Sequence, residues 1–180
     1  MPLHIALIQP QIPPNTGNIA RLCAATDSSL HLIEPLGFSI DDAEVRRAGL
    51  DYWEAVDLWV HPDWFAFRDA IDRERCLYLS AKAVRPYWHA PYRHNSCLVF
   101  GSETDGMPQR ILEKHPERCF TIPMWGPVRS LNLSTAVAIV LYEAIRQTGR
   151  RILAADERVA RSADNADKTE EEKQATDLHG

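Results

Sequence analysis

At 180 residues, with hydrophobic residues at 45% and charged residues at 25%, the chain has the size and make-up of one globular domain with room for a tail. No run reaches the roughly 18 apolar residues that a membrane span needs. The start, Met1-Pro2-Leu3-His4, lacks the basic region and apolar core of a secretory signal, so the chain reads as cytoplasmic. The net charge of −5 is unevenly spread, because residues 154–180 hold eight acids and four bases, a net of −4, leaving about −1 on residues 1–153. That tail has no aromatic and almost no large apolar residue, too little burial to offset the entropy of ordering. The expected organisation is therefore a folded domain over 1–153 and an acidic, disordered tail over 154–180. A nearly neutral domain does not exclude an anionic partner.

Residues 3–9, Leu-His-Ile-Ala-Leu-Ile-Gln, form a short apolar run that reads as a buried strand. A proline-rich turn segment follows. Ile19, Leu22 and Cys23 then recur at helical spacing, which predicts a helix opening near Asn15 or Thr16. Further strands are predicted at 30–35, 55–61, 76–81, 96–102 and 119–124. Helices are predicted at 41–49, at 63–74 behind an Asp63 cap, at 107–115 with Pro108 in the first turn, and at 133–149 ending on Gly149. Strand and helix alternate, so the fold class is α/β with a mostly parallel sheet flanked by helices. The last helix, with Val137, Ile139, Val140, Leu141 and Ile145, is apolar nearly all round. Such a helix is buried on several sides, and in a domain this small a second subunit is the expected cover.

Cys23, Cys76, Cys97 and Cys119 stand singly in apolar segments without a CxxC pair, as reduced core thiols do. The histidines include no HExxH, and no metal site is expected. In parallel α/β sheets ligands sit in the loops after the strands. Three such loops carry unusual residues: 13–21 with Asn15, Gly17, Asn18 and Arg21; 100–108 with Gly101 and Glu103; and 122–134, which ends in Arg129-Ser130-Leu131-Asn132-Leu133-Ser134. The last stretch could simply cap the final helix, since serine and asparagine satisfy free N–H groups there. Gly-Ser-Glu-Thr-Asp-Gly lacks the Lys-Ser/Thr of a P-loop. The chain also shows no GxGxxG fingerprint, no GxSxG elbow and no zinc deaminase signature. Gly101, at a strand end, suggests a close backbone approach by a ligand.

Asn-x-Gly-Asn-x-x-Arg at 15–21, Phe-Gly-x-Glu-x-x-Gly at 100–106, and Ile-Pro-Met followed by Arg-Ser-Leu-Asn-Leu-Ser at 122–134 occur in the order of the three motifs of the SPOUT superfamily of RNA methyltransferases. They resemble its 2′-O-ribose branch. Gln-Ile-Pro-Pro-Asn-Thr-Gly-Asn at 11–18 and Arg-Arg-Ala-Gly-Leu-Asp-Tyr-Trp at 46–53 are similar to the small single-domain group that methylates the wobble nucleotide of tRNA. The resemblance covers residues 3–149. It implies a C-terminal deep trefoil knot, a homodimer, and S-adenosyl-L-methionine as methyl donor with S-adenosyl-L-homocysteine as product. It implies a cofactor pocket on Leu79, Gly101, Glu103, Ile122, Met124, Ser130 and Leu131, and active-site positions at Arg21, Glu103, Ser130 and Asn132 supported by Asn15. It also implies that Arg129-to-Ser134 builds a site as well as a cap, which are compatible because helix-start N–H groups can hold a ligand.

A sulfonium methyl is already electrophilic, so the task is to orient a ribose hydroxyl and let it lose a proton. The family proposal makes Arg21 the base. Arginine stays protonated in proteins, so Arg21 is expected instead to stabilise the forming alkoxide and clamp a phosphate. With no separate RNA-binding domain evident, the dimer is expected to grip the tRNA anticodon stem-loop through Arg21, Arg46, Arg47 and Arg129. Alternatives are methylation of another tRNA position or of rRNA, and a non-catalytic RNA-binding protein on the same scaffold. An oxidoreductase is disfavoured by the missing glycine fingerprint.

Overall fold

A computed structural model of the protein describes residues 2–40, 55–149 and 157. The helix expected at 41–49, with Arg46 and Arg47, and the boundary expected at 153 lie outside the described residues. In chain order the elements are β1 (His4–Ile8), α1 (Pro13–Thr26), β2 (Ser29–Ile33), β3 (Leu58–His61), α2 (Trp64–Ala70), β4 (Cys76–Leu79), β5 (Arg85–Pro86), β6 (Cys97–Phe100), α3 (Gln109–Lys114), β7 (Cys119–Thr121) and α4 (Leu133–Thr148). They fall within the compact unit Met1–Thr148.

The strands form one sheet in the order β3-β2-β1-β6-β4-β7-β5, and every pairing is parallel. The central strands are apolar on both faces, as a parallel sheet covered on both sides requires. Ile5, Leu7, Leu77, Leu79, Leu98 and Phe100 point to one face, where α1 and α4 cover them with Ile19, Cys23, Val137, Val140 and Leu141. Ala6, Ile8, Tyr78, Cys97 and Val99 point to the other, under Phe67 of α2 and Ile111 of α3.

Several boundaries differ from those read off the sequence. Helix α1 opens at Pro13, so Asn15 lies in its first turn and Gly17 just beyond it, rather than in a loop. Proline at the helix start has its φ already set. The helix expected over 63–74 ends at Ala70, after which Arg73–Arg75 forms a separate 3-10 turn capped by Asp72. Strand β5 went unpredicted. It is two residues long, pairs only with β7, and contains Pro86, which a sheet tolerates at its edge. On α4, Val137, Val140, Leu141 and Ala144 are buried, whereas Tyr142 is exposed and Ile139 and Ile145 are half-buried. Within one chain the helix is thus covered on one side, not all round.

On β1, β2 and β3 three histidines form a ladder. His4 Nδ1 and His31 Nε2 are 3.0 Å apart, and His31 Nδ1 and His61 Nε2 are also 3.0 Å apart. Arg75 lies 2.7 Å from His4 Nε2. A guanidinium only donates, so His4 must donate from Nδ1 to His31, and His31 from Nδ1 to His61. Burial holds all three below the usual histidine range, His31 at about 3, with Arg75 adding to the effect on His4 and the neighbouring His4 and His61 to that on His31.

Candidate active site

The loops that leave the carboxyl ends of β4, β6 and β7 meet the start of α1 around a cavity of about 680 Å³. This is where a parallel sheet presents ligand sites, and the size lies within the range of small-molecule sites. Its apolar wall includes Leu79, Ile122, Met124 and Leu131; Gly101, Glu103 and Ser130 complete the expected pocket on the same wall. Asn15, Arg129 and Asn132 also line it. All seven expected cofactor positions therefore border one space, although they lie in four separate stretches of chain.

Glu103 holds the site together. Its carboxylate accepts from the Gln11 amide at 2.8 Å, the Ile12 amide at 3.3 Å and Asn15 Nδ2 at 3.0 Å. Ile12, the residue before α1, offers no side-chain cap of its own. Glu103 supplies the missing acceptor across the site, placing negative charge where the helix dipole favours it. Asn15 in turn accepts from Asn132 Nδ2 at 2.9 Å. The Asn132 side-chain oxygen accepts from the Ser134 amide at 2.9 Å, the Ser134 hydroxyl at 2.7 Å and the Thr135 amide at 3.3 Å, so Asn132 caps α4. One hydrogen-bonded chain thus ties all three sequence motifs together. Glu103 accepts three hydrogen bonds in it, and Asn132 donates one and accepts three. Among the described residues the Ser130 hydroxyl has no protein partner in any hydrogen bond, and it faces the cavity. The stretch Arg129–Ser134 is both cap and cavity wall, and Asn132 takes part in both.

At Gly101 a Cβ would overlap the Gly106 carbonyl and the Met107 amide, so the protein's own backbone already requires a glycine at this cavity-lining position. Residues 101–107 fold into a tight turn: the Gly106 amide donates to Ser102 O at 3.0 Å, the Asp105 amide donates to Ser102 Oγ at 3.1 Å, and Gly106 has φ +67°. Arg21 lies exposed on α1 and is not on the cavity wall formed by its own chain. Sequence reasoning missed Lys82, whose position just after β4 was the available signal, and the whole Glu103–Asn15–Asn132 connection. Among the described residues no cluster of His, Cys, Asp or Glu could hold a metal ion, and no helix is long and apolar enough to cross a membrane.

The model of the SpoU rRNA Methylase family matches residues 2–142. This chain belongs to that family. Among SpoU relatives, a tRNA (cytidine(34)-2'-O)-methyltransferase of Burkholderia ambifaria is 48% identical over 149 residues, 81% of this chain and 96% of the relative. The protein of the same name from Escherichia coli K12 is 48% identical over 148 residues, 82% of this chain and 94% of its own. A solved structure concerned with 2-OH methylation of C/U34 on tRNA superposes with a TM-score of 0.78 at 46% identity, covering 83% of this chain and 97% of that one. An AdoMet-bound rRNA methyltransferase of Sinorhizobium meliloti shares the fold, at a TM-score of 0.74 and 23% identity over 85% of this chain and 57% of that one. The cavity of this SpoU chain lies within the matched region.

Proposed function

We propose that this chain transfers a methyl group from S-adenosyl-L-methionine to the 2′-oxygen of the wobble nucleotide, cytidine or uridine at position 34, of tRNA. The observation that carries the reading is the single cavity in which three separated motifs meet, in a chain 46–48% identical to relatives named for that reaction. The cavity fits the cofactor: Leu79, Ile122, Met124 and Leu131 offer an apolar slot for a flat base, while Ser130 and the 101–107 loop offer polar groups for a sugar and an amino acid. The bound cofactor supplies an electrophilic methyl on a sulfonium. The protein's residues then have an orienting task. Ser130 is placed to contact the ligand or the ribose, and Arg129 to hold a phosphate. Glu103, Asn15 and Asn132 fix the walls.

Arg21 is the proposed stabiliser of the forming 2′-alkoxide, with the proton passing to phosphate or water. Since it lies off the wall of its own chain, we propose that it serves the site of a second copy in a homodimer. Tyr142, Trp125 and Val128, exposed at 56%, 89% and 58%, are apolar surface suited to such an interface. A C-terminal deep trefoil knot and a cytoplasmic location, consistent with four free buried cysteines, belong to the same proposal. Nucleoside mass spectrometry of tRNA from cells with and without the protein tests it. Loss of one 2′-O-methylated nucleoside at position 34 is expected. An unchanged anticodon with a lost methyl group in the D-loop or in rRNA would overturn the substrate, and no lost methyl group at all would overturn the activity.

A further inference from the structure

A second, smaller pocket of about 190 Å³ lies between α2 and α3, on the sheet face opposite α1 and α4. Arg68, Arg73, Arg110, Lys114 and His115 line it, and no Asp or Glu does. Of the acids next to these cations in sequence, Glu74 pairs with Arg118 at 2.6 Å, whereas the Glu113 carboxylate accepts from Gln109 at 3.2 Å and keeps its charge. Among the described residues none of Arg68, Arg73, Arg110 and Lys114 is ion-paired. The Arg68 Nε is buried and without a hydrogen-bond partner. Five basic side chains converge here although residues 1–153 together carry a net of only about −1. Aromatic groups stand beside the cations. Tyr78 and His115 stack at 5.5 Å, Trp64 packs against Tyr78 at 6.5 Å, and Phe65 is 64% exposed at the rim.

At roughly 30 Å³ per water the pocket has room for about six waters, which suits one phosphate group with its attached sugar and excludes a second cofactor. Cations spread over two helices and a 3-10 turn, with an exposed aromatic at the edge, match a nucleic-acid backbone with an unstacked base beside it. We infer that this pocket is a second RNA contact, binding a backbone phosphodiester of the tRNA outside the nucleotide being methylated, with the adjoining base on Phe65. The inference rests on the reading of the chain as a tRNA-modifying enzyme.

The test compares the unaltered full-length protein with Arg110→Ala/Lys114→Ala, two exposed positions that leave the core untouched, and with Phe65→Ala. Binding of tRNA and of inorganic phosphate is measured by calorimetry between 50 and about 300 mM salt. For the double variant we expect tRNA affinity to fall at least about tenfold near 100 mM salt, with the log–log salt slope shallower by about 0.7–0.9, the value for one lost phosphate contact. S-adenosyl-L-methionine affinity should not change. Phe65→Ala should weaken tRNA binding without altering the slope. Unchanged tRNA affinity and slope in the double variant would overturn the inference alone. So would phosphate binding that the double variant loses while tRNA affinity stays, since the pocket would then serve a free small anion. Failure of the unaltered protein to bind tRNA at all would overturn both this inference and the proposed function.

Discussion

Replacing Glu103 with alanine removes three hydrogen bonds at once, those from Gln11, Ile12 and Asn15. Water can reach the exposed Ile12 amide, so its loss lies at the low end of the range. The Asn15 amide group cannot be rescued so easily: the residue is 5% exposed, and an unsatisfied buried donor costs about 1–3 kcal/mol. Loss of the negative charge facing the start of α1 adds about 0.3–1 kcal/mol. Together these give a destabilisation of about 2–4 kcal/mol. At roughly 2–4 °C per kcal/mol for a domain of this size, the melting temperature should fall by about 4–16 °C. Glu103→Gln keeps one acceptor oxygen and the shape, and should lose about half as much. The assay is thermal denaturation by circular dichroism alongside single-turnover methylation of tRNA. A positioning residue predicts that activity lost in Glu103→Gln is accompanied by a lower melting temperature and weaker cofactor binding. A Glu103→Gln protein that melts within about 1 °C of the unaltered one yet has lost turnover would refute the reasoning and make Glu103 a reacting group.

Gly101→Ala should lower both the melting temperature and cofactor affinity, because a Cβ collides with the Gly106–Met107 backbone; a variant with normal melting would show that the turn can yield. Arg21→Ala should cut turnover more than tenfold, a loss above about 1.4 kcal/mol, with cofactor binding and fold intact, as calorimetry and denaturation would show. The histidine ladder makes stability depend on pH. His4, His31 and His61 titrate below their ordinary value of 6.5 in the folded state, so below that pH the unfolded chain takes up protons that the folded chain refuses. Stability is therefore greatest above pH 6.5 and falls as pH drops from there towards about 3 for His31, by up to about 1.4 kcal/mol per pH unit for each histidine. Urea unfolding between pH 7 and 5.5 should show this slope, and His31→Gln should flatten it; an equal slope in both proteins would place the pH dependence elsewhere.

The residue pattern of this chain determines the central strands and their burial, though not the two-residue edge strand β5. Continuous apolar runs such as Ile5–Ile8 and Cys97–Phe100 are buried on both faces, and only a parallel sheet covered by helices offers that. The residues around the cavity were legible in part: Asn15, Glu103, Ser130 and Asn132 stood out as polar residues in loops after strands, and the resemblance to the three family motifs brought them together as one site. Tertiary structure alone decided what those residues do. Glu103 and Asn15 are 88 positions apart, and Asn15 and Asn132 are 117. A hydrogen bond over such separations leaves no local periodicity to read, so a carboxylate that caps a distant helix looks in sequence like a free acid. The backbone that Gly101 accommodates was hidden for the same reason, since it arrives only when the 101–107 turn closes. The pocket between α2 and α3 was invisible for a related cause: Arg68, Arg73, Arg110 and Lys114 are ordinary surface cations in their own segments. They become a concentrated charge only where two crossover helices pack side by side on one face of the sheet.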